Sequence, residues 1–484
     1  MNEPAAQYYR SAAVRGRVRE FLGRDSSGKP TCRYLVKGGT RALRLHEHYP
    51  VEALDAFLDE GDEIARSLWD AGSLIADFDV EYVNFDRPAE AFLNPARAFA
   101  LQEPTREAIA HLLAGYGISP LHLLSGRGHH FIWQIARGSP AFQYLANLGH
   151  GTPSLWQTIA DHPAPDSTLA PIESARAFAG LGQVMEFLAH RVKEIAVRAS
   201  EIPIELTAVE VGPSARGREM VSLDISEYGD PLTVRLLRVP FSVYLKPWQL
   251  RGAIADEVLS EMDPLFVIPT AGMTMPEALP VMRSGEMVAR LAETASAVIP
   301  DASTGTMRLI AEYESSPLRK FHEDFYAQEH EPPERWAATY DRAPLDHWPA
   351  CGRLIVEQPN DLLLRPACIR RVVRILLALG WHSRHIAGLI RSKYEGHFGW
   401  TQFTGCDPAT RADFYVRMFA GLFATGRDDL IDFNCISAQE EGLCFFTDCN
   451  DNLLRFREAA LYRREHDKLA HRPFNRLLLP TEHS

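Results

Sequence analysis

Apolar positions along the 484-residue chain change their spacing several times, and each change predicts an element. Residues 5–22 repeat at helical intervals. A turn-rich GRDSSGKP then leads into CRYLVKGG and TRALRLHEHY, whose alternation predicts a short hairpin. VEALDAFLDEGDEIARSLWDAG reads as an amphipathic helix, SLIADFDVEYVN as a strand, and residues 104–116 as a further helix. LHLLSG and HHFIWQI follow as a strand pair. Helical stretches around 140–160 and 172–199 then lead to strand-like runs in ELTAVEVG, MVSLDISEYGD and LTVRLLRVPFSVYL. Strands and helices interleaved in this way predict a mixed α/β domain over residues 1–255. Residues 256–350 read as a helical connector broken by Pro and Gly, and residues 351–484 as a firmly helical C-terminal domain.

Composition places the chain among ordinary globular proteins: 46% of residues are hydrophobic and 24% charged, so disorder and fibrous repeats are excluded. No run approaches the ~20 apolar residues that span a bilayer, and the N-terminus lacks the apolar core of a secretory signal. We expect a cytoplasmic protein with no membrane partner. The 51 Lys and Arg against 63 Asp and Glu leave a net charge of −12, so any nucleic-acid contact needs a local basic surface. Six of the seven cysteines fall from residue 351 onward, which makes a C-terminal metal site an option.

Three segments carry candidate chemistry. Asp77 and Asp79 sit two apart on the predicted strand SLIADFDVEYVN, so alternation puts both carboxylates on one face. A divalent cation, Mg²⁺ or Mn²⁺ by the hardness of the ligands, relieves their repulsion; Lys or Arg partners on an exposed strand end are the alternative. In SGRGHHFIW, the residues Ser125, Gly126, Arg127 and Gly128 form a tight connection beside His129 and His130. Glycine lets backbone amides approach a phosphate and Arg with His supplies donors, although for the segment in isolation a plain hairpin turn is the expectation. Asp224 ends an apolar strand start, with Arg235, Arg238 and Lys246 shortly after it. Gly23 to Lys29 reads G-x-x-x-x-G-K, but Pro30 stands where a phosphate-binding loop needs Ser or Thr, and a turn is the expectation.

In this order LIADFD, SGRGHH, and SLD with RLLRVPFSVYLK resemble the hhhDhD, S-G-x-G-x-H and hD…R-x-x-R…K motifs of the archaeo-eukaryotic primase superfamily, over roughly residues 30–250. The resemblance implies an RRM-like catalytic core and template-dependent nucleotidyl transfer by the two-metal route. By it, Asp77, Asp79 and Asp224 hold Mg²⁺ or Mn²⁺, and His130 contacts the phosphates of the incoming nucleotide. Ser125, Gly126, Arg127, Gly128, Arg235, Arg238 and Lys246 are the implied nucleotide contacts, and His129 fills the variable position. The implied partners are a single-stranded DNA template, a primer-template and nucleoside triphosphates, in a replication, mobile-element or defence setting.

Cys435, Cys444 and Cys449 are separated by short polar turns, and Cys368 opens a predicted helix whose dipole lowers a thiol pKa. Four thiolates suit zinc or an iron–sulfur cluster, and buried small hydrophobes are the alternative. The segments RPACIRRVV, GWHSRH and C…GLC…C resemble the iron–sulfur domain of the primase large subunit over residues 361–452. That likeness implies a [4Fe–4S] cluster on Cys368, Cys435, Cys444 and Cys449, with Zn²⁺ as the alternative, and contacts to nucleic acid from His382, Arg384 and His385. Cys351 and Cys406 stand outside the motif. Between residues 361 and 400 seven Arg and Lys face two acids, the local basic surface required above, with Trp381, Phe398 and Trp400 for stacking. The expectation is a single-chain DNA primase-polymerase. A primer-extending repair or gap-filling polymerase, and a non-catalytic nucleic-acid-binding regulatory protein on a primase scaffold, are the competing readings.

Overall fold

The computed structural model describes residues 2–37, 48–161, 171–207, 218–229, 236–249, 252, 254–396, 398–399, 407–444, 449 and 452–467. The chain is mixed α/β and divides into two compact units. The first gathers residues 1–149, 156–206 and 219–311, and the second gathers 150–155, 207–218 and 312–484. Among the described residues, no helix is long and apolar enough to cross a membrane.

Among the described residues the first unit has eleven strands: β1 (Leu35–Lys37), β2 (Ile64–Ser67), β3 (Ser73–Asn84), β4 (Leu121–Ser125), β5 (Gly128–Ala136), β6 (Ile204–Leu206), β7 (Glu219–Asp224), β8 (Leu236–Arg238), β9 (Val243–Tyr244), β10 (Leu265–Phe266) and β11 (Ile268–Pro269). Six of them form a sheet of order β11-β4-β5-β3-β7-β6, antiparallel except for the β6–β7 pair. The remaining strands form a β1-β2-β8 sheet and a β10-β9 pair. Two long helices, α1 (Pro95–Tyr116) and α2 (Ile172–Ala196), pack against each other and against β3. Asn94 caps α1 by accepting from the Arg97 amide, and Gly117 ends it at φ 71°. Along β3 the residues Leu74, Ala76, Phe78, Val80 and Tyr82 are all buried. Tyr82 meets Ala98 and Leu101, and His129 meets the ring of Phe99, so α1 covers that face. Asp77, Asp79 and Glu81 therefore lie on the opposite face.

Two expectations change. The amphipathic run from 51 to 72 is not one helix: it stops at Gly61, which adopts φ 76°, and continues as β2. A left-handed glycine satisfies the last helical carbonyls and reverses the chain, and period alone does not register it. The connector placed at 256–350 is divided as well. Its first part supplies β10 and β11, and Thr306 accepts a hydrogen bond from the indole of buried Trp133 at 3.1 Å, so residues up to 311 belong to the first unit. The Gly23–Lys29 segment is a turn, closed by the Asp25 carboxylate accepting from the Ser27 and Lys29 amides.

The second unit is helical: α3 (Pro317–Ala327), α4 (Ala350–Glu357), α5 (Pro366–Leu379), α6 (Ser383–Glu395), α7 (Pro408–Ala424), α8 (Cys435–Glu440) and α9 (Leu453–Tyr462). Helix α7 packs against α3, α5 and α6, while α5 also meets α4 and α9.

Candidate active site

Strand pairing brings three sequence-distant residues side by side. Asp79 is the register partner of His130 on β5 and of Asp224 on β7, so the three stand in a row across adjacent strands. Asp77 is two residues back on the same face of β3, where β7 has already ended. There the Tyr228 hydroxyl accepts from the Asp77 amide at 3.1 Å and donates to the Asp77 carbonyl at 2.7 Å, so a side chain takes over the missing backbone ladder. His130 Nδ1 lies 3.1 Å from Asp77 Oδ2 and 3.6 Å from Asp79 Oδ1. Asp224 Oδ1 accepts from the Ser226 amide and hydroxyl.

The electrostatics follow from burying these charges together. Burial, with the negative charges of Glu81, Asp77 and Asp224 added, pushes the Asp79 carboxyl up to about 7, although His130 opposes the shift. Burial pulls the His130 imidazole down, but the Asp79 and Asp77 carboxylates outweigh it and hold the ring at about 9. His130 is therefore a cation at neutral pH. His129 points to the other face, where burial keeps it neutral and its Nδ1 lies 3.0 Å from His122 Nε2.

A second carboxylate absent from the sequence expectations, Glu81, organises the cations. Arg127 and Lys246 both pair with it. Burial works to raise the Glu81 carboxyl, but Arg127 and then Lys246 hold it well below its ordinary range, while burial pulls the Lys246 ammonium down to about 8. Arg238 pairs with Glu63 at 2.7 Å and lies 4.8 Å over the Tyr244 ring. The only sequence signal for Glu81 is that it continues the period-two spacing of Asp77 and Asp79. Arg235 lies outside the described residues.

The glycines of the Ser125–Gly128 connection serve the protein's own packing. A Cβ on Gly128 would sit 1.9 Å from the Val80 carbonyl oxygen of β3, and one on Gly126 would sit 2.3 Å from the Tyr244 ring. The close approach expected for a phosphate is here made by a strand and a ring. Ser125, at the end of β4, is buried.

Asp79, Glu81 and Asp224 bring one carboxylate oxygen each within 4.8 Å of one another. Asp77 Oδ1 and Asp79 Oδ1 are buried without a hydrogen-bond partner. Carboxylate oxygens clustered in this way are the hard ligands that suit a divalent cation, and the donor set is compatible with one.

No protein-family model, curated protein or solved structure matches this chain.

The C-terminal residues stand differently from expectation. His382 caps α6 by accepting from the Arg384 amide, and its Nε2 lies 3.3 Å from Asp324. Arg384 pairs with Asp413 at 2.6 Å and stacks over Phe325 and Tyr326, and His385 lies 3.3 Å from the Tyr340 hydroxyl. All three have partners within the second unit. Three of the seven cations of the expected basic surface are internal: buried Arg370, Arg371 and Arg374 pair with Asp432, Glu441 and Asp428, acids that follow by more than fifty residues, while Arg365 is exposed. Trp381 and Phe398 are buried, and Trp400 lies outside the described residues.

Among the described residues no set of three or more His, Cys, Asp or Glu ligand atoms within 4.8 Å of one another includes a cysteine. Cys368 is enclosed at the start of α5, where burial pushes its thiol up to about 11, opposite to the lowering expected from the helix dipole. Cys435 accepts from the Leu453 amide at 3.4 Å, and Cys449 is exposed. Cys351, outside the motif, is the thiol that feels the charges of Cys444 and Cys435, although burial is the main cause raising it. Cys406 lies outside the described residues.

Proposed function

We propose that this chain is a metal-dependent nucleotidyltransferase of the primase-polymerase kind, with an RRM-like catalytic core in its first unit. The observation that carries the reading is the row His130–Asp79–Asp224 across three adjacent strands, flanked on one side by Arg127, Arg238 and Lys246. Polymerisation joins a 3′-oxygen to the α-phosphorus of a triphosphate and expels pyrophosphate, so the site must neutralise charge on both oxygens and on the phosphate chain. Divalent cations, when bound, lower the charge on the attacking and leaving oxygens. The carboxylates of this face would hold them. His130, charged at neutral pH, and the Arg127, Arg238 and Lys246 cations then meet the triphosphate, Arg127 and Lys246 exchanging Glu81 for phosphate oxygens.

Between synthesis from single triphosphates and extension of an existing primer, the second unit favours extension. His382, Arg384 and His385, the residues expected to contact nucleic acid, pair with Asp324, Asp413 and Tyr340. The iron–sulfur or zinc centre contributes no step to this reading.

The test is incorporation of labelled ribo- or deoxynucleotides on primed and unprimed single-stranded templates with Mg²⁺ or Mn²⁺. Wild-type protein is expected to extend the primer, and Asp79→Ala or Asp224→Ala to reduce extension to background with the fold intact. No incorporation by the wild type under any of these conditions defeats the reading, as does full activity in the Asp79→Ala protein.

A further inference from the structure

Two carboxylates on β3 compete for the place beside Asp79 and Asp224, and their surroundings differ. Asp77 is the deeper, 1% exposed, with one oxygen 3.1 Å from His130 Nδ1 and its backbone pinned by Tyr228. No strand residue of β7 stands opposite it, because that strand ends at the level of Asp79. Glu81 lies at the other side of Asp79 on the same face. Its register partner on β7 is Ser222, two residues before Asp224 and therefore on the same face as both acids.

Ser222 is 1% exposed, and its hydroxyl has no hydrogen-bond partner. A buried hydroxyl left unsatisfied carries an uncompensated desolvation cost. Its position beside three carboxylates that approach within 4.8 Å points to a ligand that meets it: a hydrated cation accepts its lone pair or offers it a water. We propose that Glu81 completes the divalent-cation site with Asp79 and Asp224 while Asp77 positions His130, an assignment that rests on the function proposed above. Glu81 is also the counter-ion of Arg127 and Lys246. A carboxylate committed to a cation holds them less strongly, so cation binding turns both toward an anionic substrate, and the two ligands bind with positive coupling.

The experiment is a Mn²⁺ titration of the full-length protein, followed by the electron paramagnetic resonance signal of the free ion, with no nucleotide present. Glu81→Gln and Asp79→Asn are each expected to weaken Mn²⁺ binding by about tenfold or more, since ligand charge sets affinity in oxygen sites. Asp77→Asn keeps an oxygen facing His130 and is expected to bind Mn²⁺ nearly as the wild type does. Near-ultraviolet circular dichroism checks the fold of each variant. An equal loss in Asp77→Asn and Asp79→Asn overturns the assignment even if Glu81→Gln does not fold; wild-type affinity in a folded Glu81→Gln protein overturns it too. If the wild type incorporates nucleotide while folded Glu81→Gln binds Mn²⁺ normally, this inference alone falls. If the wild type neither binds Mn²⁺ nor incorporates nucleotide, the proposed function falls with it.

Discussion

At the scale of single residues, the pairing of His130 with Asp79 and Asp77 makes stability depend on pH in a defined direction. A ring held at about 9 in the fold, against an ordinary 6.5, keeps a proton that the unfolded chain releases. Its stabilising effect is full below pH 6.5 and is lost as pH rises through 9. Asp79, raised from 3.8 to about 7, acts with the same sign over its own lower window, because folding opposes its ionisation. Metal-free protein is therefore expected to lose stability between pH 6.5 and 9, with a slope approaching about 1.4 kcal/mol per pH unit for one retained proton. Asp79→Asn removes the main partner holding the ring up and flattens that slope. Urea denaturation at constant ionic strength measures both, and a level wild-type profile across the window contradicts the pairing. The three aspartates and His130 are legible as candidates because alternation and motif order single them out. Glu81 and Ser222 are not, since an acid or a serine on a strand has no distinguishing pattern until its cross-strand partner is known.

At the scale of elements, the site depends on how closely β5 lies against β3. Gly128 is the point of closest approach, because a methyl group there would meet the Val80 carbonyl oxygen. Gly128→Ala is expected to destabilise the protein by about 1–3 kcal/mol or more, the ordinary cost of overpacking, and to abolish incorporation by spreading the strands that carry Asp79 and His130. Gly115, exposed in α1 with nothing within 4 Å of its would-be Cβ, is the control. Gly115→Ala should stabilise by about 1 kcal/mol or less through helix propensity. Chemical denaturation of the two variants gives the comparison, and equal effects would show that the strand contact is unimportant. β3, β4, β5 and β7 are readable from alternation. The partition of residues 51–72 into a helix and β2 is not, because both periods fit the same apolar residues until Gly61 turns the chain.

At the scale of the whole molecule, charge segregation along the sequence is cancelled by folding. The basic stretch from Arg365 to Lys393 stands out in an acidic chain, yet its central arginines are buried against acids from residues 428–441. Arg374 places all three guanidinium nitrogens on Asp428 and Asp432 at 2.6–3.0 Å. Removing Arg374 leaves Asp428 buried without its paired cation and Asp432 with Arg370 alone. Arg374→Met is expected to cost about 3–5 kcal/mol, seen as a lower denaturation midpoint. A surface arginine serving nucleic acid behaves oppositely, with unchanged stability and a shallower dependence of DNA binding on salt. That second pattern in Arg374→Met would return the stretch to the role expected from sequence.

Local chemistry is what the chain reveals unaided: which segments alternate, where two carboxylates share a strand face, where glycines and histidines crowd a turn, and that the protein mixes α and β. Those properties depend on residues a few positions apart, so a linear reading captures them. Partnership was decided only by the tertiary structure. It set Asp224 beside Asp79, a partner 145 positions earlier in the chain, assigned Arg127 and Lys246 to Glu81, enclosed Cys368, and buried the central arginines of a basic helix. A charge's neighbour and its distance from water fix its pKa and its freedom to bind, and both are properties of the folded chain in space rather than of its order.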